Sequence, residues 1–433
     1  MKTSLTAIKG TKDILPAEAR LWQKAEALCR EVFEAYGYRE IRTPIIEPTE
    51  LFVKGTGETT DIVTKEMYTF VDKGGRSITL RPEYTPSVVR AIIEHRLYLQ
   101  PSLLRFYYFG PMFRHDRPQK GRYRQFHQVD IEVFGEADPA LDAEILEMAD
   151  YLLGRLGIED KEILINSVGC PVCRPGYLNF LRQEAEKIRE RLCPDCQRRI
   201  ELNPLRLFDC KEPSCGETTQ ALPKITEHLC LDCQAHFEGL RRWLNFYGLS
   251  YRVEPRLVRG LDYYTRTTFE IISSGLGAQN ALLGGGRYDH LMKLYGGPDI
   301  CGIGFAMGLE RVLSVAKITP DEEKSIYLAY LGARAKEKAL QLCRQLRQQG
   351  FSTFLEYKER SLKDQLSRAN KLQVTWTIIL GEDELAQGAG QLKEMSSGLQ
   401  KTFPIEQILS VLRILKTGEK KLAEINPQDQ IKA

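Results

Sequence analysis

Residues 105–134 read RFYYFGPMFRHDRPQKGRYRQFHQVDIEVF, and this segment constrains the fold more than any other. Its two ends alternate apolar and polar residues and are rich in Phe, Tyr, Val and Ile, which is the pattern of β-strands. The middle, 114–124, carries Arg114, Arg117, Lys120, Arg122 and Arg124 against a single acid, Asp116, together with a Pro and a Gly. Strand, basic loop, strand is the signature of a hairpin, and a hairpin implies an antiparallel sheet. A basic loop on a hairpin is often only a solvated surface. Here Arg114, Phe126, Gln128 and Glu132 stand at the loop base in positions that point to one face. Guanidiniums grip phosphate bidentately and an aromatic ring can stack on a base. The pattern therefore suits a nucleotide or nucleic-acid site.

Composition sets the outer limits. The chain has 433 residues, room for two or three domains, with 42% apolar and 27% charged residues as in soluble globular proteins. A formal net charge of +3 is too small to argue for nucleic acid by itself, so such binding must come from local patches. The N-terminal MKTSLTAIKGTKDILP lacks the apolar core of a signal peptide. No stretch approaches the roughly 18 apolar residues of a membrane helix. The expectation is a cytoplasmic protein with no membrane segment, whose eleven cysteines are reduced.

Helical periodicity runs through residues 17–36, with Leu21, Ala25, Leu28, Val32 and Tyr36 on one stripe and Gly37 as the stop. YREIRTPIIEPTELF reads as a strand broken by Pro44 and Pro48, hence an edge open to a partner. MYTFVD and SITLRPE form a hairpin around Lys73-Gly74-Gly75, and helices are expected at 86–97, 139–156 and 234–248. Strand signals return in YRVEPRL, TRTTFEIIS and the Gly-rich CGIGFAMG, which runs into the helix LERVLSVA. ITPDEEKS, 318–325, is polar and turn-rich and reads as a linker. Beyond it β and α patterns alternate, which predicts a small α/β domain with a largely parallel sheet.

The glycine motifs exclude the common phosphate loops. GIGFAMG has the wrong spacing for a dinucleotide fingerprint, and GGGR at 284–287 lacks the Lys-Ser/Thr of a P-loop. These glycines read as places of close backbone approach within a sheet. Arg311 opens a helix behind the Gly-rich strand, and Arg114, Arg259 and Arg311 all flank strands, so they are candidates for one anion site. Glu83 and Thr85 stand between a strand and a helix; Glu83 either caps that helix, the commoner role for an isolated acid, or grips an ammonium group.

Eight of the eleven cysteines fall between 170 and 233, three times as C-x-x-C: Cys170/Cys173, Cys193/Cys196 and Cys230/Cys233, with Cys210 and Cys215 between. Two such pairs can share one tetrahedral zinc, and four thiolates leave no open position, so the metal would be structural. The spacing leaves the ligands open; Cys193, Cys196, Cys230 and Cys233 are the first choice for a single structural zinc, and a set of free thiols is the alternative.

Taken together the motifs resemble histidyl-tRNA synthetases, a class II aminoacyl-tRNA synthetase family, along nearly the whole chain. TPIIEPTELF, FRHDRPQKGRYRQFHQVDIEVFG and GIGFAMGLERVL resemble the three class motifs, and RGLDYYTRTTFE and LLGGGRYDHL the two histidine-specific signatures. The opening KGTKDILP is also typical. The resemblance implies an α+β fold: an antiparallel six-stranded catalytic sheet with flanking helices, a helical, Cys-rich insertion and a C-terminal α/β anticodon-binding domain. The corresponding divisions are 1–168 and 249–317 for the catalytic domain, 169–248 for the insertion, 318–325 for the linker and 326–433 for the anticodon domain. It implies ATP-dependent attachment of L-histidine to tRNA(His) through a histidyl-adenylate, with ATP and Mg2+ entering as a substrate complex, in a homodimer joined through the first motif.

By motif match Arg114 and Arg259 would act on the α-phosphate, Arg311 on the γ-phosphate side, and Phe126 would stack on adenine with Asp116 nearby. Glu83, Thr85 and Gln128 would hold the histidine amino group, with Tyr84 beside them. Glu132 and Tyr264 would read the imidazole, with Tyr263 and Tyr288 close. Gln119 and Arg124 would approach the tRNA acceptor end. Two positions depart from the family pattern: Asp116 stands where a Glu is usual, and Tyr84 where a Gly is usual. The rival readings are a non-charging regulatory paralogue of histidine biosynthesis, which lacks the anticodon domain and the intact RGLDYYT signature, and an RNA-binding protein with a zinc module.

Overall fold

The computed structural model describes residues 5–58, 60–119, 121–210, 212–277 and 280–427; Lys120 of the basic loop lies outside them. The chain divides into two units, Met1–Pro320 and Asp321–Ala433.

The first unit is built on an eight-stranded sheet of order β1-β5-β6-β11-β10-β9-β7-β8. Its strands are β1 (Arg39–Glu40), β5 (Leu104–Phe113), β6 (Gln125–Phe134), β7 (Glu162–Ser167), β8 (Tyr251–Val253), β9 (Thr265–Ile272), β10 (Ala281–Arg287) and β11 (Gly302–Gly308). The six strands from β5 to β7 are all antiparallel. The short β1 and β8 extend the two edges in parallel. A three-stranded sheet of β2 (Ile46–Pro48), β3 (Tyr68–Val71) and β4 (Ser77–Leu80) lies beside it in sequence.

Side-chain parity divides the large sheet into two faces with different jobs. Val129, Ile131 and Val133 of β6, Ile303, Phe305 and Met307 of β11, and Phe269 and Ile271 of β9 point one way. They join the buried core formed with the helices Pro16–Ala35 and Pro139–Arg155. Each such apolar side chain withdrawn from water contributes roughly 1.5–3 kcal/mol. The opposite parity gives Gln128, Asp130 and Glu132 on β6, paired across to Gly308, Ala306 and Gly304 on β11. Gly284 on β10 continues the row to Glu270 on β9. This second face is polar, and its floor is kept free of side chains. A Cβ on Gly284 would strike the Arg259 guanidinium, and one on Gly304 the Ile131 carbonyl and the Glu132 carboxylate. The glycines of GGGR and GIGFAMG thus serve close approach, as their sequence setting indicates.

Arg287, at the end of β10, is fully buried and pairs with buried Asp142 of the helix Pro139–Arg155 and with Asp289. Removing either partner of such a pair strands a charge in the core, so this contact locks helix to sheet.

In the second unit β12 (Ser325–Tyr330), β13 (Ser352–Leu355), β14 (Trp376–Leu380), β15 (Ala389–Glu394) and β16 (Gln400–Pro404) form a sheet of order β13-β12-β14-β15-β16. Only the β12 pairings with β13 and β14 are parallel; β14, β15 and β16 are antiparallel. The largely parallel expectation is corrected here. AGQLKE is mostly polar because it faces solvent on one side, and its strand signal is correspondingly weak. The other departures are small. The chain turns helical at Thr49–Thr56, so ELF leaves the strand early. The first helix buries Trp22, Cys29 and Phe33 beside Ala25 and Val32, a stripe rotated from the expected one.

Candidate active site

The polar face of the large sheet floors a cavity of about 390 Å³. Arg114, Asp116, Phe126, Gln128, Arg259, Tyr263, Tyr264, Tyr288 and Arg311 border it, with Glu83, Tyr84 and Thr85. Segments far apart in sequence therefore converge on one space. Glu132 lies beneath the wall, and Gln119 and Arg124 stand on the hairpin loop outside it. Gln119 pairs with Arg122, and Arg124 donates from its backbone amide to the Gly10 carbonyl and from its side chain to the Asp116 carbonyl.

One part of the cavity is cationic. The Arg114 Nε donates to the Pro82 carbonyl at 2.8 Å, and its guanidinium lies 5.3 Å from the Phe126 ring centre. Arg311 is held by the carbonyls of Gly121 and Ala281 at 3.0 and 3.3 Å. Burial lowers the Arg311 pKa, and the like charges of Arg122, Arg114 and Arg259 lower it further. An arginine does not give up its proton at such a shift. Glu270 offsets part of that repulsion. Arg259 pairs with Glu270, while its Nε is buried with no partner among the described residues.

The other part is acidic and aromatic. Glu83 is buried, accepting from the Thr56 hydroxyl and from the Tyr263 hydroxyl, the latter at 2.8 Å. Burial raises its pKa, against those two hydrogen bonds and Arg114. The helix Thr85–Glu94 has Tyr84 at its N-cap and no side-chain cap bond, so the capping role for Glu83 is corrected. Glu132 accepts from Thr85 at 2.5 Å, from Tyr108 at 3.1 Å and from Tyr288. Burial and the neighbouring Asp130 and Glu83 hold its pKa well above the usual carboxylate range. Asp130 is buried and raised likewise, and accepts from the Met307 amide at 3.1 Å. Burial pushes the Tyr264 pKa up to about 12, against Arg259. The Oε1 of Gln128 is buried without a partner among the described residues, an acceptor awaiting a donor.

Tyr84 is explained by its packing. Its ring stacks on Tyr108 at 3.4 Å and lies under the Arg81 guanidinium, and its hydroxyl accepts from the Thr43 amide. The side chain is thus spent on the wall, where a glycine would leave a hole, and it does not occupy the cavity.

Sequence reasoning missed several cavity residues. Asp130 has the same strand parity as Gln128 and Glu132, and that alternation was the signal for it. Glu66, Arg122, Glu270 and Asn280 border the space too, as do Asp61, Arg206 and Asp209. Asp61 bonds Arg199 and Arg206 of the insertion at 3.4 Å each, which draws the insertion onto the rim.

The cysteines do not assemble as the spacing suggested. Cys170, Cys173, Cys230 and Cys233 form one group and Cys193, Cys196, Cys210 and Cys215 another, the sulfurs of each within 4.8 Å of one another. A site made of Cys193, Cys196, Cys230 and Cys233 is therefore corrected: the two pairs belong to different groups. Sequence spacing fixes which cysteines can share an ion within a pair, but the helices between them decide which pairs meet.

Among known proteins, the family model described as histidyl-tRNA synthetase matches residues 10–171 and 217–312, and that of an anticodon binding domain matches residues 325–415. The chain belongs to the histidyl-tRNA synthetase family. It is 50% identical to the histidine–tRNA ligase of Trichlorobacter lovleyi, over 96% of this chain and 100% of that one. To that of Halothermothrix orenii it is 48% identical, over 94% and 99%. The crystal structure of apo S. aureus histidyl-tRNA synthetase superposes with a TM-score of 0.80 at 35% identity, covering 94% of this chain and 99% of that one. The expected class II synthetase fold is thereby borne out, with its six antiparallel central strands and a separate C-terminal domain.

Proposed function

We infer that this chain is an aminoacyl-tRNA ligase that attaches L-histidine to tRNA(His) through a histidyl-adenylate. The observation that carries the reading is the division of one cavity into a cluster of arginines and a set of buried acids. A ligand that satisfies both must bring phosphate to one end and a cation with polar ring nitrogens to the other. ATP and histidine together do so. The non-charging alternative is not favoured: RGLDYYT is intact, and residues 325–415 match an anticodon binding domain.

In the first step a histidine carboxylate oxygen attacks the α-phosphorus in line, the bond to the bridging oxygen breaks and pyrophosphate leaves. In the second the tRNA terminal hydroxyl attacks the adenylate carbonyl and AMP leaves. Neither step requires a protein nucleophile; both require positioning and cations where charge develops. Arg114 and Arg259 hold the α-phosphate, Arg311 the γ-phosphate side, and Phe126 the adenine, with Asp116 near it. Glu83, Thr85 and Gln128 take the ammonium group; the unpartnered Gln128 oxygen supports that role. ATP enters with Mg2+, and Glu66 and Asp116, which flank Arg114, offer it oxygen ligands. Tyr263, Tyr264 and Tyr288 surround the imidazole, and Tyr84 braces the wall. Gln119 and Arg124 lie on the loop toward the acceptor end, and the second unit binds the anticodon.

The domain divisions stated above assign catalysis to 1–168 and 249–317, and tRNA contact to 326–433. No helix among the described residues is long and apolar enough to cross a membrane. None of the eleven cysteines is in a disulfide, as suits a reducing, cytoplasmic setting. The test is histidine-dependent exchange of pyrophosphate into ATP, followed by charging of tRNA(His). A protein that shows no exchange is not this enzyme.

Glu132 acts through Tyr288 and Thr85, since its carboxylate is bonded to both and stays below the cavity wall. Glu132→Gln is expected to raise the histidine KM about tenfold, the cost of one hydrogen bond at roughly 1.4 kcal/mol. Discrimination against ring analogues should narrow, because polar sites reject by leaving groups unpaired. Unchanged histidine dependence would move ring recognition to Tyr264.

The homodimer contact is assigned to the small sheet, where Ile45, Ile46, Phe70 and Val71 are exposed. Large apolar side chains gathered on a short sheet mark an interaction surface. The pair Ile46→Glu and Phe70→Glu is expected to give a monomer by light scattering. A mass unchanged from the parent would place the contact elsewhere.

A further inference from the structure

The two cysteine groups have a common geometry. Cys170 stands 3.8 Å from both Cys173 and Cys230, and Cys173 stands 3.8 Å from Cys233, sulfur to sulfur. In the second group Cys193 and Cys210 are 3.9 Å apart. Four thiolates each about 2.3 Å from one zinc ion lie about 3.8 Å from one another, because a tetrahedron's edge is about 1.63 times its radius. A disulfide needs sulfurs about 2.05 Å apart, so the spacing belongs to single-ion coordination. The thiolates of an iron–sulfur cluster are divided among two or four irons, so as a set they spread farther than these groups do.

The surroundings are those of built sites. The Cys170 amide donates to the Cys173 sulfur at 3.3 Å, and the Cys193 amide to the Cys215 sulfur at 3.1 Å. Such bonds orient thiolates and offset their charge. Gly169, at φ +67°, leaves room that a Cβ would take from the Cys173 sulfur at 2.9 Å. The segment also needs support that packing does not give. Apart from cysteines, its buried core holds nine side chains, chiefly Leu and Ile, for more than sixty residues of short helices. Cores this thin in natural proteins are commonly completed by a metal.

We propose that the insertion binds two structural zinc ions, one held by Cys170, Cys173, Cys230 and Cys233 at its root and one by Cys193, Cys196, Cys210 and Cys215 at its tip. The root ion joins the segment just after β7 to the start of the helix Leu231–Phe246, which leads back to β8. Arg174, next to Cys173, donates there to the carbonyls of Val168 at 2.9 Å and Gly169 at 3.1 Å, and to that of Tyr264. The tip ion closes the loop between Cys196 and Cys210, which carries Arg206 and Asp209 to the cavity rim. Both ions therefore brace walls of the site described above, although the proposal does not depend on what that site binds.

Metal analysis of the full chain, purified without chelator, tests this. The expected content is two zinc per chain, released together by a mercurial thiol reagent. Cys193→Ser and Cys230→Ser should each retain one zinc. Should these variants fold poorly, the parent protein refolded with cobalt(II) alone serves instead: thiolate-to-cobalt charge-transfer bands should saturate at two equivalents. Zinc at one per chain or none, iron in its place, cobalt saturation at one equivalent, or eight freely titrating thiols at these positions in the native protein would overturn the assignment.

Discussion

Arg259→Ala is expected to slow histidine-dependent pyrophosphate exchange by two to three orders of magnitude while ATP still binds. Arg259 comes from the loop ahead of β9, and its guanidinium lies over Gly284, where any larger residue would displace it. Its partner Glu270 fixes it before substrate arrives. A preorganised donor of this kind, aimed where charge develops, is worth about 3–4 kcal/mol of barrier. ATP retains Arg114, Phe126 and Arg311, so its binding should weaken far less than the exchange rate falls. Because Ala also leaves Glu270 unpaired, the control is Arg259→Ala combined with Glu270→Gln. If the double variant recovers near-normal exchange, the defect lay in the stranded carboxylate and Arg259 has no role at phosphorus.

Much of this arrangement was legible from local pattern. The alternation in residues 105–134 identifies both strands of the central hairpin and places Phe126, Gln128 and Glu132 on one face, and the structure keeps that parity. The glycines of β10 and β11 announce a floor without side chains. What stayed hidden depends on contacts between distant segments. Arg206 and Asp209 belong to an irregular stretch with no periodic signal, and they reach the cavity only because Asp61 holds the insertion by Arg199 and Arg206. Cysteine spacing identified pairs but not partnerships, because three C-x-x-C pairs with two single cysteines can combine in several ways and only the helix packing selects among them. Glu83 read as a helix cap because burial is invisible in a lone acid; the hydroxyls of Thr56 and Tyr263 that surround it come from elsewhere in the chain.

Glu83→Gln should separate stability from binding. In the free protein, burial holds the Glu83 pKa above the ordinary carboxylate value, so its ionised form is disfavoured. A group raised in this way contributes stability below its unfolded pKa and loses it as pH rises through the folded pKa. At neutral pH the native state therefore carries the cost of either desolvating or protonating this carboxylate, and neutral Gln removes that cost. The variant should melt at the same or a higher temperature than the parent in the absence of ligand. Histidine reverses the balance, because its ammonium group compensates the carboxylate. Removing one partner of a buried charge pair costs about 2 kcal/mol or more, so the histidine Kd should rise at least roughly 30-fold. In the parent, affinity should climb with pH through the raised Glu83 pKa, since only the ionised form pairs with ammonium, and in the variant that component should vanish. Calorimetric titration across the acidic-to-neutral range, with thermal melts of the free proteins, reads both effects. A variant that is less stable yet binds histidine normally at every pH would make Glu83 a structural residue and leave the ammonium to Gln128 and Thr85.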